Sequence, residues 1–181
     1  MPNQSTNNEI NVIILAAGQG TRMNSSVSKV LHEVGNKTLI QHVIDAAKPL
    51  ANSINVIIGH NSESVKKSTQ HSLIKWVLQK NQLGTGHAVM QAIPNIKKDS
   101  MCLILYGDVP LIQTQTLLKL LEKANKTGFS LLTVIQNDPS GYGRIIRDSS
   151  KSIQAIIEHK DANTEELEID EINTGIMAIT G

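Results

Sequence analysis

Aromatic residues are scarce in this 181-residue chain, which carries one Trp, two Tyr and one Phe (Trp76, Tyr106, Tyr142 and Phe129). The stacking surfaces that single-stranded or RNA ligands require are therefore not available. Cysteine is rarer still: Cys102 stands alone, so no disulfide forms within the chain, which suits a reducing compartment and makes the cytoplasm the expected location. Charge of one sign is also missing. Seventeen Lys+Arg against sixteen Asp+Glu leave a formal charge of +1, without the basic surplus of proteins that grip many phosphates. The longest apolar run covers only 12–17, well short of the roughly 20 residues of a membrane span, and the opening stretch 2–8 is polar rather than signal-like. Six histidines fall into no H-E-x-x-H or Cys/His arrangement, so zinc is not expected. Neither nucleic acid nor a membrane is expected as a partner, and small-molecule chemistry is the better starting point.

What is present is enough for one core. Hydrophobic residues make up 40% of the chain, and at about 150 residues per domain this length corresponds to a single domain or one with a short appendage. From Ile10 onward short apolar runs alternate with helix-period stretches. Segments 10–16, 54–59, 74–78 and 101–106 are brief, rich in Val, Ile and Leu and apolar on both faces, as strands of a buried parallel sheet should be. Between them Leu39, Ile40, Val43, Ile44 and Ala47 recur at helical spacing behind Thr38 as N-cap, and 116–126 reads as a helix closed by Gly128. The order predicts a doubly wound α/β sheet with ligands at the carboxyl ends of its strands. After Phe129 the pattern changes: 130–136, 144–147, 153–158 and 173–179 read as successive strands, so antiparallel β structure is expected there. The acidic stretch 163–171 reads as a solvated loop or short helix.

Four segments carry the chemistry. After the first strand comes Leu15-Ala16-Ala17-Gly18-Gln19-Gly20-Thr21-Arg22-Met23, whose glycines let backbone N–H groups approach a phosphate while Arg22 adds a fixed fork of charge. It is no dinucleotide fingerprint, because Met23 stands where the third glycine belongs and Gly59-His60 ends the second strand without an acid. It is no Walker A loop either, lacking the Gly-Lys-Ser/Thr close. The competing reading is a plain strand-to-helix turn. Lys29 follows seven residues after Arg22, where an ammonium either neutralises phosphate or is merely solvated. Tyr106-Gly107-Asp108-Val109-Pro110 ends the fourth strand, placing a carboxylate for Mg²⁺ at the sheet edge or, alternatively, a turn-forming Asp before proline. After the third strand, the segment Gln79 to Ala88 offers side-chain amides that can read a base edge, with backbone groups at Gly84-Thr85-Gly86; the competing reading is an ordinary loop in which Thr85 caps the next helix. His87 has no nameable catalytic partner and is read as a packing or capping residue.

Together these segments resemble the sugar-nucleotide pyrophosphorylases, most closely the N-terminal uridylyltransferase domain of the bifunctional N-acetylglucosamine-1-phosphate uridylyltransferase/glucosamine-1-phosphate acetyltransferases. The resemblance runs through nearly the whole chain: LAAGQGTRM at 15–23, KVLH at 29–32, QHVIDAA at 41–47, QLGTGHA at 82–88, LYGDVPLI at 105–112, DPSGYGRI at 138–145, EHKDA at 158–162 and EINTGI at 171–176. LAAGxGTRM marks nucleotidyltransferases in general; the other motifs in this order are more specific.

The resemblance implies a Rossmann-like nucleotidyltransferase fold, a mostly parallel mixed sheet with added β structure in the C-terminal part, and Mg²⁺-dependent uridylyl transfer. UTP and N-acetylglucosamine-1-phosphate would yield pyrophosphate and UDP-N-acetylglucosamine, a precursor for peptidoglycan and lipopolysaccharide. Leu15, Ala16, Ala17, Gly18, Gln79, Gly84 and Thr85 would hold the uridine, and Arg22 and Lys29, the catalytic cations, would face the phosphates. Asp108 would bind Mg²⁺, while Tyr106, Gly107, Gly143, Glu158 and Asn173 would line the acetylated sugar-phosphate side. Two departures stand out. The family usually has proline before the phosphate-facing lysine, where this chain has Ser28. Its second metal ligand, an asparagine or aspartate, and its β-helical acetyltransferase half, which assembles as a homotrimer, come downstream of Gly181. The expectation is thus a nucleotidyltransferase domain over 1–181, truncated at its C-terminus, of impaired activity and without acetyl transfer. The alternatives are another nucleotide and sugar phosphate, or a non-catalytic nucleotide-binding fragment.

Overall fold

A computed structural model describes residues 9–18, 27–59, 62–69 and 72–181. Two compact units are formed, one by residues up to Ser130 together with Met177–Gly181, the other by Leu131–Ile176. The first is built on β1 (Ile10–Ala16), whose alternate residues Val12 and Ile14 on one face and Ile13 on the other are all fully buried. Such two-sided burial explains why the segment is apolar throughout rather than alternating.

Between β1 and the next sheet strand lie a 3-10 turn (Lys29–Leu31), a two-residue hairpin of β2 (Glu33–Val34) and β3 (Lys37–Thr38), and helix α1 (Leu39–Ala47). Thr38 caps α1 as expected: its Oγ1 accepts from the Gln41 amide at 3.3 Å. Buried Leu39, Ile40, Val43, Ile44 and Ala47 form the apolar stripe that the spacing predicted. β4 (Ser53–Ile58), α2 (Glu63–Ser68), β5 (Ile74–Leu78), α3 (Thr85–Ala92), β6 (Met101–Tyr106) and α4 (Thr114–Thr127) follow.

β1 pairs in parallel with β4 on one side, Val12 opposite Ile54, and with β6 on the other, Val12 opposite Leu103. β5 pairs in parallel with β4. The strand order β5-β4-β1-β6 therefore reverses at β1, and the crevice at the carboxyl ends of β1 and β6 is where a doubly wound sheet receives its ligand. Ile13, Ile57 and Ile104 share a cluster with Ala88 and Ala92, so small residues of α3 let that helix lie close to the sheet. β5 departs from expectation. Lys75 and Leu78 are exposed, because β5 is an edge strand and only part of it is covered. None of the described helices is long and apolar enough to cross a membrane.

The second unit holds most of β7 (Phe129–Ile135), then β8 (Arg144–Arg147), β9 (Ile153–Ile157), the single-turn α5 (Thr164–Leu167) and the first part of β10 (Glu171–Thr180). β8 pairs antiparallel with β9 and with β10, which agrees with the antiparallel β structure expected after Phe129. Asn163 closes a capping box with Glu166, which makes the acidic stretch one helical turn rather than loop. In the first unit the end of β10, from Met177, runs antiparallel to β6.

Candidate active site

The carboxyl ends of β1, β5 and β6 are drawn together by two hydrogen bonds to backbone carbonyls. Gly107 N–H donates to Leu15 O at 3.0 Å, carrying the β1–β6 ladder one step past Tyr106. A Cβ on Gly107 would lie 3.2 Å from Val30 Cγ1 and 3.3 Å from Leu15 O, so glycine is what lets this loop sit so near β1. Gln82 Nε2 donates to Ala17 O at 2.6 Å, tying the loop after β5 to the loop after β1.

Gln79 is 3% exposed, and its Nε2 donates both to Gly84 O (3.3 Å) and to His87 Nδ1 (3.0 Å). With Nε2 occupied, Oε1 remains as the amide's acceptor for a ligand. His87 thus serves the packing role expected of it, holding Gln79 from the first turn of α3. Thr85 does not cap that helix. Gly84 occupies the cap position with φ +96°, which a side chain would strain, and no side chain accepts there, so the first N–H groups of α3 are left for another partner.

These loops enclose a cavity of about 460 Å³ lined by Leu15, Ala16, Ala17, Gly18, Lys29, Val30, Gln79, Gln82, Gly84, Thr85, Ala88, Tyr106 and Asp108. Its volume suits a small-molecule ligand. Within the lining, Lys29 Nζ and Asp108 Oδ2 pair at 2.7 Å, with the side chains 44% and 27% exposed. Lys29 opens the 3-10 turn behind Ser28, whose φ of −54° is one that a proline would impose and whose ψ of 135° a proline readily adopts.

Ten of the predicted residues line one cavity, and Gly107 abuts Leu15 and Val30 of that lining. Arg22 lies outside the described residues, as do Gln19, Gly20, Thr21, Met23 and His60. Val30, Gln82 and Ala88 also line the cavity and were not predicted as site residues; for Gln82 the signal was its place in the same amide-and-glycine loop as Gln79.

A divalent cation was expected on Asp108. Among the described residues no group of three His, Cys, Asp or Glu side chains is placed to hold a metal. The donor set fits Mg²⁺ nonetheless, because that ion keeps waters and phosphate oxygens as ligands and needs as little as one carboxylate, which Asp108 supplies from the cavity wall.

In the second unit the remaining predicted residues lie close together. Asn173 N–H donates to Gly143 O at 2.8 Å, and a Cβ on Gly143 would stand 3.4 Å from Glu158 Oε1. The Cα of Gly143 is therefore covered on that side by Ile156 and the Glu158 carboxylate.

Comparison with known proteins agrees with this geometry. The MobA-like NTP transferase domain family matches residues 12–164. The chain is 53% identical over 172 residues to the bifunctional protein GlmU of Vesicomyosocius okutanii, covering 95% of this chain but 38% of that protein, so it spans well under half of that relative's length. A Bacillus anthracis protein described as a glucose-1-phosphate thymidylyltransferase superposes with a TM-score of 0.79 at 21% identity, covering 94% of this chain and 71% of that one. A UDP-glucose pyrophosphorylase complexed with UDP-glucose gives 0.75 at 18% identity, covering 95% and 76%. These two establish the fold, a mixed α/β sheet of the nucleotidyltransferase type. Nucleotidyltransferases of this family generally use a divalent metal. By the match across residues 12–164, the chain belongs to the MobA-like NTP transferase domain family.

Proposed function

We propose that the chain carries the uridylyltransferase half-reaction of a GlmU-like enzyme, joining UTP and N-acetylglucosamine-1-phosphate into UDP-N-acetylglucosamine with release of pyrophosphate. The observation that carries the reading is the cavity that combines a buried Gln79 amide with the Lys29–Asp108 pair at a topological switch point. Kinship with GlmU narrows the substrates.

In this reading Gln79 Oε1 accepts the N3–H of uracil, and Gly84 and Thr85 border the base. Leu15 to Gly18 hold the uridine with them, and Lys29 faces the phosphates, as Arg22 is proposed to. Asp108 holds Mg²⁺, which neutralises charge on the phosphates when bound. Gly143, Glu158 and Asn173 receive the sugar of the acceptor. An oxygen of the sugar phosphate attacks the α-phosphorus, the bond from that phosphorus to the bridging oxygen breaks, and pyrophosphate leaves with the electron pair. No general base is needed, because a phosphate monoester is already anionic at neutral pH; the residues act by positioning and by offsetting charge. The product belongs to cell-wall precursor synthesis.

Pyrophosphate release from UTP plus N-acetylglucosamine-1-phosphate, measured with and without Mg²⁺, tests the reading. Turnover that requires all three is expected, together with UTP binding more tightly than CTP, dTTP or GTP by calorimetry. Tighter binding of CTP overturns the uridine assignment, and UTP binding without turnover assigns a binding role alone.

A further inference from the structure

We infer that Arg144 is the positioning residue of the acceptor side: a buried guanidinium that fixes the turn before Gly143 and thereby sets the geometry of Gly143, Glu158 and Asn173. This rests on the uridylyltransferase reading for the identity of the acceptor.

Arg144 is 2% exposed at the first position of β8, where an apolar residue would be the cheaper choice. Its described hydrogen-bond partners are three backbone carbonyls and one imidazole nitrogen. Nη1 donates to Pro139 O at 2.7 Å and also to Tyr142 O, the two ends of one turn, which Tyr142 N–H closes onto Pro139 O at 3.2 Å. Gly141, with φ +81°, supplies the left-handed third position that such a turn demands. Nη2 reaches the other way, to His159 Nδ1 and to Leu167 O, both at 3.4 Å. Since arginine has no acceptor, His159 Nδ1 must be the unprotonated nitrogen. One side chain thus bridges the turn before Gly143, the residue after Glu158 and the end of α5.

The strand register explains why this matters for the acceptor. Arg144 stands opposite Ile157 on β9 and opposite Ile172 on β10. Gly143, Glu158 and Asn173 each lie one position from that row, so all three proposed acceptor contacts are set by a single cross-strand line with Arg144 at its centre. A buried charge that satisfies carbonyls rather than a carboxylate carries a stability penalty without a matching ion pair, the kind of local exception that marks a functional site. Arg144 Nε adds to this, being buried with no described partner.

The test compares Arg144→Lys, Arg144→Met and His159→Ala with the parent chain, measuring UTP and UDP-N-acetylglucosamine affinity by calorimetry. UTP probes the nucleotide side alone, and the sugar nucleotide probes both. Loss of sugar-nucleotide affinity by about 10- to 100-fold in both Arg144 variants, with UTP affinity changed less than about twofold, is expected. Lysine keeps the charge but not the fork, so it should fail to rescue. His159→Ala, which removes one of four acceptors, should show a smaller loss of the same kind and guards against an Arg144 variant that does not fold. Equal loss for both ligands, full rescue by lysine, or no loss in His159→Ala alongside unfolded Arg144 variants overturns the assignment. If instead the parent prefers CTP to UTP, or binds UTP but not UDP-N-acetylglucosamine, the uridylyltransferase reading has failed.

Discussion

Lys29 Nζ lies 2.7 Å from Asp108 Oδ2, joining the cation after β1 to the carboxylate after β6 across the switch point of the sheet. In the proposed function the pair couples two roles, since whatever takes the carboxylate frees the ammonium for phosphate. With the side chains 44% and 27% exposed, the attraction is screened and contributes at most about 1 kcal/mol to folding. Asp108→Asn should therefore melt within about 4 °C of the parent. Mg²⁺-dependent turnover should fall by about 100-fold or more, because charge neutralisation at the phosphates is where this enzyme class gains its rate. A variant that melts far lower while keeping its rate would make Asp108 structural.

Ser28 offers a test of how the lysine is presented. Its φ of −54° and ψ of 135° already match a proline. Ser28→Pro should raise stability by about 0.4 to 1 kcal/mol through the unfolded state and leave UTP affinity unchanged. A clear loss of affinity would show that the serine itself takes part in binding.

How far the sequence could be read depended on period. β1, α1 and α4 were legible because two-sided apolar runs and i, i+3, i+4 stripes stretch over seven or more residues. The β2–β3 hairpin and α2 were not, since two-residue strands and a helix with only Val65 buried carry no periodic signal. Site motifs were legible where each follows a strand end, as Gly18, Gln79 and Asp108 do. Gln82 and Arg144 escaped because what they do is set by a partner 65 residues away in one case and by cross-strand register in the other.

Asn55 marks a local conflict in the core. It is fully buried in β4, opposite Ile13, and both polar atoms of its side chain lack a described partner. An unsatisfied buried amide costs about 1 to 3 kcal/mol, whereas a β-branched apolar side chain fits a central strand. Asn55→Val should stabilise the protein by about 1 kcal/mol in urea unfolding. A decrease of that size would mean that the amide is satisfied, for instance by an internal water.

Arg147 and Glu171 form a two-pronged pair in the second unit, Nε to Oε2 at 2.7 Å and Nη2 to Oε1 at 2.6 Å. The Arg147 hydrogen bonds hold the Glu171 carboxyl below its ordinary value despite the opposing effect of burial. Because folding lowers this pKa, the stabilisation is complete above the unfolded value of roughly 4.3 and is lost as pH falls through the folded value. Glu171→Gln should weaken hydrogen-exchange protection of Arg144–Arg147 at pH 7, by about 1 kcal/mol at most given the partial exposure of the pair. The difference from the parent should shrink toward pH 3. A difference that does not change with pH would assign the effect to shape rather than charge.

Gln82 gives the sharpest test of the cavity itself. Its side chain is not needed for the core, since the residue is exposed, yet Nε2 donates to Ala17 O at 2.6 Å and so sets the loop proposed to hold the uridine. Removing the donor should cost little stability and should act on ground-state nucleotide binding. Gln82→Ala should raise KM for UTP by about tenfold, or roughly 1.4 kcal/mol, with kcat nearly unchanged. Gln82→Glu should do worse at the same size, because a carboxylate cannot donate to Ala17 O and brings negative charge toward the phosphates. If the glutamate variant binds UTP like the parent, the Gln82 to Ala17 bond does not order the loop, and that loop must be held by its backbone contacts alone.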